Sequence, residues 1–137
     1  MKRNEQMMLY KESDDKERIL VVDDEVEVCN ALKEFLILKK YAVETALNGP
    51  MALKMVEDFN PHIVLLDIIM PGMGGVDVLK RIRNINPEIG IIMTTAVVDE
   101  ELAKSTIRLG AYDYITKPID LNHLETVLMV KMIDIMG

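Results

Sequence analysis

The stretch Ile63-Val64-Leu65-Leu66-Asp67, running on into Met70-Pro71-Gly72-Met73-Gly74-Gly75, decides the fold. Four apolar residues, an acid and then a glycine-rich turn read as a strand buried on both faces, which belongs in a parallel sheet covered by helices. A carboxylate at the carboxyl end of such a strand is carried to the rim of the sheet, where open α/β sheets bind ligands. A second apolar run, Ile19-Leu20-Val21-Val22, ends in Asp23-Asp24. Three acids therefore converge on one rim. Like charges held close together disfavour full ionisation unless a cation offsets them. The arrangement calls for a metal ion, a phosphoryl-transfer role, or both.

Outward from this stretch, strands and helices alternate. A strand at about 18–22 precedes a helix at about 26–39, where Val28, Leu32, Phe35 and Leu36 fall at helical spacing. Cys29 lies beside that face and reads as core rather than as a reactive thiol. A strand at about 41–46 leads to the turn Asn48-Gly49-Pro50, with proline placed for the first turn of a helix whose inner face is Ala52, Val56 and Phe59. Asn60-Pro61 ends that helix. After Asp67, the glycines permit a turn into a helix at about 75–83 that buries Val78, Leu79 and Ile82. A strand at about 89–93 follows. Asp99 is placed to cap the next helix, with Glu100 and Glu101 in its first turn and Gly110 at its end. A strand at about 112–115 and a helix capped by Asp120 and running to about 136 complete the pattern. His62 and His123 have no partner at metal-ligand spacing and read as surface residues.

Five such units predict an α/β fold: a doubly wound (βα)5 three-layer sandwich around a parallel five-stranded sheet. The predicted domain is 18–137. Residues 1–17 read as a flexible or weakly helical tail, whose apolar run Met7-Met8-Leu9-Tyr10 either frays or docks on a partner.

The bulk numbers narrow the function. The chain has 137 residues, half of them hydrophobic, enough for one domain with a real core. No apolar run approaches the roughly 18–20 residues that span a bilayer, and no signal-peptide segment opens the chain. A single cysteine excludes an internal disulfide framework and suits a reducing compartment. The expectation is a cytoplasmic protein without membrane contact. Sixteen basic against 23 acidic residues give a formal charge of −7, which argues against direct nucleic-acid binding by this domain.

The groups capable of chemistry fall on the loops at the carboxyl ends of the strands: Asp23 and Asp24, Asp67, Thr94-Thr95-Ala96, and Lys117-Pro118. The segments Ile19-Leu20-Val21-Val22-Asp23-Asp24-Glu25, Val64-Leu65-Leu66-Asp67-Ile68-Ile69-Met70-Pro71-Gly72, Met93-Thr94-Thr95-Ala96 and Gly110-Ala111-Tyr112-Asp113-Tyr114-Ile115-Thr116-Lys117-Pro118 resemble the CheY-like receiver domain of two-component response regulators. The resemblance spans about residues 18–136. It implies the flavodoxin-like strand order 2-1-3-4-5. It implies that Asp67 accepts a phosphoryl group from the phosphohistidine of a sensor histidine kinase or a phosphotransfer protein. It implies Mg2+ on Asp24 and Asp67 directly, on Asp23 through a water, and on the backbone carbonyl of Ile69. Lys117 and Thr95 would hold phosphoryl oxygens. Thr95 and Tyr114 would form the switch, altering the face made by the fourth helix, fifth strand and fifth helix for partner binding or homodimerisation. Lys117-Pro118 matches a bond usually cis in the family. The implied protein is a signalling switch rather than an enzyme. The chemistry is consistent: a carboxylate is a competent nucleophile toward phosphorus, phosphoryl transfer rests on positioning and charge neutralisation, Mg2+ prefers oxygen ligands, and a lysine ammonium is a compact partner for phosphate.

Plainer readings exist for each residue. Asp67 could be a surface acid, Asp23-Asp24 a helix cap, Thr95 a turn hydroxyl, Lys117 a solvated side chain, Tyr114 core, and Glu25 a helix-start charge. Four loops on one edge, each with the fitting group, outweigh them. An aspartate-nucleophile phosphatase would carry a second Asp at Ile69. A flavodoxin-like cofactor binder would not place Asp23-Asp24-Glu25 where phosphate must sit. A receiver fold used as a phosphorylation-independent docking module remains the alternative. Two departures stand out. Ile69 and Val97, each two residues beyond a site residue, are apolar, which predicts slow hydrolysis of the phosphorylated form. The last helix, with a buried face of Leu121, Leu124, Leu128, Met132 and Ile135, also carries Val127, Met129, Val130, Ile133 and Met136. So apolar an end predicts packing against another subunit, a neighbouring helix or a further segment.

Overall fold

The computed structural model describes residues 16–96 and 100–136. Val97, the Asp99 cap, the side chain of Glu100 and the segment 1–15 with its run Met7–Tyr10 lie outside these. Five strands, β1 (Arg18–Val22), β2 (Ala42–Ala46), β3 (Ile63–Asp67), β4 (Gly90–Thr95) and β5 (Asp113–Thr116), form one sheet of order β2-β1-β3-β4-β5. All neighbours are parallel. The helices α1 (Val26–Leu38), α2 (Gly49–Phe59), α3 (Gly75–Ile85), α4 (Glu100–Arg108) and α5 (Leu121–Met136) connect them.

The pleat divides the core in two. Leu20, Val22, Val64, Leu66, Ile91 and Met93 face one side, where Ala52 and Val56 of α2 and Val78, Leu79 and Ile82 of α3 cover them. Ile19, Val21, Ile63, Leu65 and Ile92 face the other, under Cys29, Leu32 and Leu36 of α1 and Leu124, Leu128 and Met132 of α5. This alternation accounts for the unbroken apolar runs of β1 and β3.

The turn chemistry is local. The Asn48 side chain accepts the Met51 N–H at 2.9 Å, with Pro50 in the first turn of α2. Asn60 ends that helix in the left-handed conformation, at φ 51°. Asp120 Oδ1 accepts the N–H groups of Asn122 (2.9 Å) and His123 (3.2 Å) and so caps α5.

Several expectations are corrected. β4 is not 89–93 but extends through Thr95, because Thr94 pairs with Asp67 and Thr95 with Thr116. The ladder draws two β-branched residues into the strand that looked like loop. β5 begins at Asp113 rather than 112. Leu121, expected in the buried face of α5, is 40% exposed at the helix start, and Val127 is buried instead. His62 is not a free surface residue: it is half-buried, and its Nδ1 accepts the Arg18 N–H at 2.9 Å.

Candidate functional site

The carboxyl ends of β1, β3, β4 and β5 meet at one rim. Asp23 follows β1 and is held there by its own N–H, which donates to the Ala46 carbonyl at 3.1 Å. Its Oδ1 accepts the Glu25 N–H at 2.9 Å, a local turn that leads into α1. Asp67 closes β3. Its Oδ1 accepts the Ile69 N–H at 3.2 Å. Both carboxyl groups are buried, Asp23 at 2% and Asp67 at 5% exposure.

Lys117 joins them from the end of β5. Its Nζ donates to Asp23 Oδ2 at 2.6 Å and to Asp67 Oδ2 at 3.3 Å. The Lys117–Pro118 peptide is cis. The Lys117 N–H donates to the Thr95 carbonyl at 2.7 Å, which fixes the loop after β5 to the end of β4. Sequence separations of 94 and 50 residues are thus closed at a single ammonium.

The electrostatics follow from this geometry. Burial pushes the Asp67 carboxyl above its ordinary value; Lys117 pulls it back, and the charge of Asp23 pushes it up further. Burial alone would lower the Lys117 ammonium, but its hydrogen bond to Asp23 and the charges of Asp67 and Asp23 outweigh that and raise it. The ammonium sits closer to Asp23, at 2.6 Å, than to Asp67, at 3.3 Å, so it compensates the Asp67 charge only in part. Cys29 lies just beneath, its Sγ 3.3 Å from the Asp23 carbonyl, and burial pushes its thiol up to about 11, with Asp23 adding to the shift. It is core, not nucleophile.

Asp24 and Glu25 stand exposed at the mouth. Neither side chain caps α1: Glu25 is the N-cap residue but makes no side-chain cap hydrogen bond. Instead Asp23, Asp24 and Glu25 each offer a carboxylate oxygen within 4.8 Å of one another. Hard, anionic oxygen donors of this kind fit Mg2+ chemistry. Glu25, for which a helix-start charge is the plainer reading, joins the two aspartates in this group.

Thr95 is buried at 3% on the last position of β4, and among the described residues no buried side-chain polar atom lacks a partner. Tyr114, on β5, is half-buried and packs, like Leu102 of α4, against the core cluster that contains Met93 and Ala111. Ile69 leaves its side chain 55% exposed beside the rim. Gly75 starts α3 directly against β3: a Cβ there would run into the Asp67 carbonyl, and the Gly75 N–H donates to the Ile68 carbonyl at 2.8 Å.

Between α1 and the loop after β5, an open groove of about 540 Å³ reaches the rim, lined by Val28, Ala31, Leu32, Pro118, Ile119 and Leu121, with Lys117 and Glu25 at its edge. No helix among the described residues is long and apolar enough to cross a membrane.

The response regulator receiver domain model matches residues 19–129. Among curated proteins, Regulatory protein AtoC of Escherichia coli (strain K12) is 39% identical over 111 residues, 81% of this chain and 24% of AtoC. Sporulation initiation phosphotransferase F of Bacillus subtilis (strain 168) is 35% identical over 108 residues, 79% of this chain and 87% of that protein. This chain spans about a quarter of the length of AtoC and of the ZraR transcriptional regulators that it also resembles. Among solved structures, a CheY-like response regulator receiver domain protein from Methanospirillum hungatei JF-1 superposes with a TM-score of 0.84 at 28% identity, covering 88% of this chain and 96% of that one. The receiver domain of NtrX from Brucella abortus gives 0.79 at 35% identity, covering 82% and 96%.

Proposed function

The chain belongs to the response regulator receiver family, and we propose that it works there as a phosphorylation-dependent switch with Asp67 as phosphoacceptor. The observation that carries this reading is the Asp23–Lys117–Asp67 bridge at the rim of the sheet. It supplies a buried carboxylate, a cation within reach of it, and neighbouring acids open to solvent.

The step is an in-line displacement. An Asp67 carboxylate oxygen attacks the phosphorus of a phosphohistidine on a sensor histidine kinase or a phosphotransfer protein. A P–O bond forms as the P–N bond breaks, and the imidazole nitrogen leaves with the electron pair. Burial prepares Asp67 for this role, since a poorly solvated carboxylate with incomplete compensation is a stronger nucleophile than one in water. Asp24, Asp67 and the Ile69 carbonyl would hold Mg2+ directly and Asp23 through a water, and the ion would supply neutralisation of charge on the phosphoryl oxygens. Lys117 turns from Asp23 toward a new phosphoryl oxygen, and the Thr95 hydroxyl takes another. The apolar groove beside α1 gives the phosphodonor a surface that ends at Lys117, whose ammonium reaches Asp67.

Thr95 and Tyr114 carry the change outward. Moving Thr95 toward the phosphoryl group relieves or creates space beside β5, and Tyr114 repacks. The face of α4, β5 and α5 then changes its affinity for a partner or for a second copy. The chain acts as a signalling module and not as a turnover enzyme.

Intact mass after incubation with acetyl phosphate tests the proposal. One added phosphoryl group is expected with Mg2+, none without it, and none in Asp67→Asn. No addition to the wild-type chain under conditions where Mg2+ binding is detected would overturn the switch in favour of a docking module.

A further inference from the structure

The outer face of α5 changes character halfway along. Its first half presents Asn122, His123 and Thr126, all exposed. Its last two turns present Met129, Val130, Ile133 and Met136, which are 53%, 48%, 68% and 57% exposed, with Met132 buried behind them. Between Met129 and Met136 only Lys131 and Asp134 are charged. Lys131 turns back onto its own fold, with Nζ 4.4 Å from the centre of the Tyr112 ring. A helix end that is apolar on its outer face as well as its inner one is suited to burial. On a chain of formal charge −7, so contiguous an apolar patch marks a contact.

The spacing selects the kind of partner. Met129, Ile133 and Met136 recur at i, i+4 and i+7, the seam along which one helix packs on another. The described residues themselves supply a helix with that seam, the α5 of a second copy, and a two-fold pair requires just such a self-complementary surface. A β-branched isoleucine between two unbranched residues suits a parallel, two-stranded pair.

The flanks select the same direction. On one side of the stripe, Met129 and Met136 share a groove with Tyr41 and Glu17. Lys16 and Lys40, both exposed, adjoin those two residues in the chain, and Lys39 is paired with Glu125 at 3.3 Å, so this side carries a positive excess. On the other side stand Asp134 and Glu88, both exposed, while the cations nearest them are half-buried and engaged, Arg83 with the Gly110 carbonyl and Lys131 with the Tyr112 ring. A two-fold axis parallel to α5 sets the lysine side of each copy against the Asp134 side of the other. Antiparallel pairing would set like sides together, which is repulsive.

We propose that the last two turns of α5 pair in parallel with those of a second copy. Four partly exposed side chains fall short of the roughly 800 Å² that a standard interface takes from each partner, so the pair is weak and depends on concentration. The stripe's end lies by Glu17 and Tyr41, at the amino ends of β1 and β2, and Asp67 at the carboxyl end of β3, so pairing needs no phosphorylation.

Sedimentation equilibrium of the full chain without phosphodonor, from about 10 µM to about 1 mM, provides the test. Expected is a reversible monomer–dimer equilibrium, weakened about tenfold or more by Ile133→Glu at the centre of the seam and to a smaller extent by Asp134→Lys. Ile133→Glu alters an exposed side chain, and its urea midpoint checks that the fold is kept. Cross-linking reads the direction. The native Cys29 is buried, so under mild oxidation Met129→Cys and Met136→Cys should each form disulfide-linked dimers on their own. A monomer at every concentration would overturn the proposal and leave the patch to a different partner or to another segment of this chain. A dimer that Ile133→Glu leaves intact would overturn it as well. Cross-links that form only when Met129→Cys and Met136→Cys are mixed would make the pair antiparallel and overturn the parallel assignment.

Discussion

Ile69 donates its backbone N–H to Asp67 while its side chain stands 55% exposed beside the rim. It does not seal the site by burial; it withholds a polar group that could orient an attacking water toward an acyl phosphate. Replacing it with asparagine supplies an amide at the same place. Ile69→Asn is expected to speed phosphoryl loss by about tenfold, below the usual gain from a positioned proton-transfer group, as read from the decay of intact-mass signal after donor removal. An unchanged decay would place the control of hydrolysis elsewhere. At the opposite edge, His62 accepts the Arg18 N–H through Nδ1, so its proton resides on Nε2. Burial lowers its pKa below 6.5, and the charge of Arg18 adds to this. Above pH 6.5 the imidazole is neutral in both states. As pH falls below that value, the unfolded chain takes up a proton that the folded one keeps off, so stability is lost until the folded pKa is passed. Urea midpoints between pH 7 and 5 should fall more steeply in the wild-type chain than in His62→Gln; parallel curves would count against this.

The helices owe their placement to local signals in some places and to distant partners in others. Asn48, Pro50, Asn60 and Asp120 act within four residues of themselves, and each was legible in the sequence for that reason. The end of α3 was not. Arg83 donates to the Gly110 carbonyl from Nε (2.9 Å) and Nη2 (2.8 Å), and from Nη1 to the carbonyls of Ile89 (2.6 Å) and Pro87 (3.3 Å). One guanidinium thus satisfies the loop before β4 and the loop before β5. Gly110, 27 residues away, shows only its helix-ending role in the sequence, although a Cβ there would also meet the Arg83 side chain. No periodicity links such residues, so only the folded chain reveals them. Arg83→Met leaves three carbonyls without this donor and should cost about 1.5–3 kcal/mol, the range of hydrogen bonds made by charged groups. The urea midpoint should drop without a change in slope. Lysine should rescue only in part, since a single ammonium cannot reproduce the planar fork.

The fold as a whole was legible because alternating apolar runs and helical stripes are local patterns. The strand order was reached only through family resemblance, and the pairing of Thr94 with Asp67 depends on neighbours far along the chain. The rim has the same non-local character: Asp23, Asp67 and Lys117 are one site only when β1, β3 and β5 are in register. A cation that needs that register binds the folded chain and not the unfolded one, so its binding free energy is added to stability. The molecule carries a formal charge of −7, and Asp23, Asp24 and Glu25 crowd their carboxylates within 4.8 Å. Without a cation, removing one of them relieves repulsion. Asp24→Asn should therefore be more stable than the wild-type chain in chelator, yet gain little from Mg2+. The wild-type chain should gain about 1.4 kcal/mol at a Mg2+ concentration ten times its dissociation constant. Thermal or urea unfolding at constant ionic strength, with sodium replacing Mg2+, measures both. If Asp24→Asn gains as much from Mg2+ as the wild-type chain, the ion acts by screening the net negative charge, and the acids at the rim hold no specific metal site.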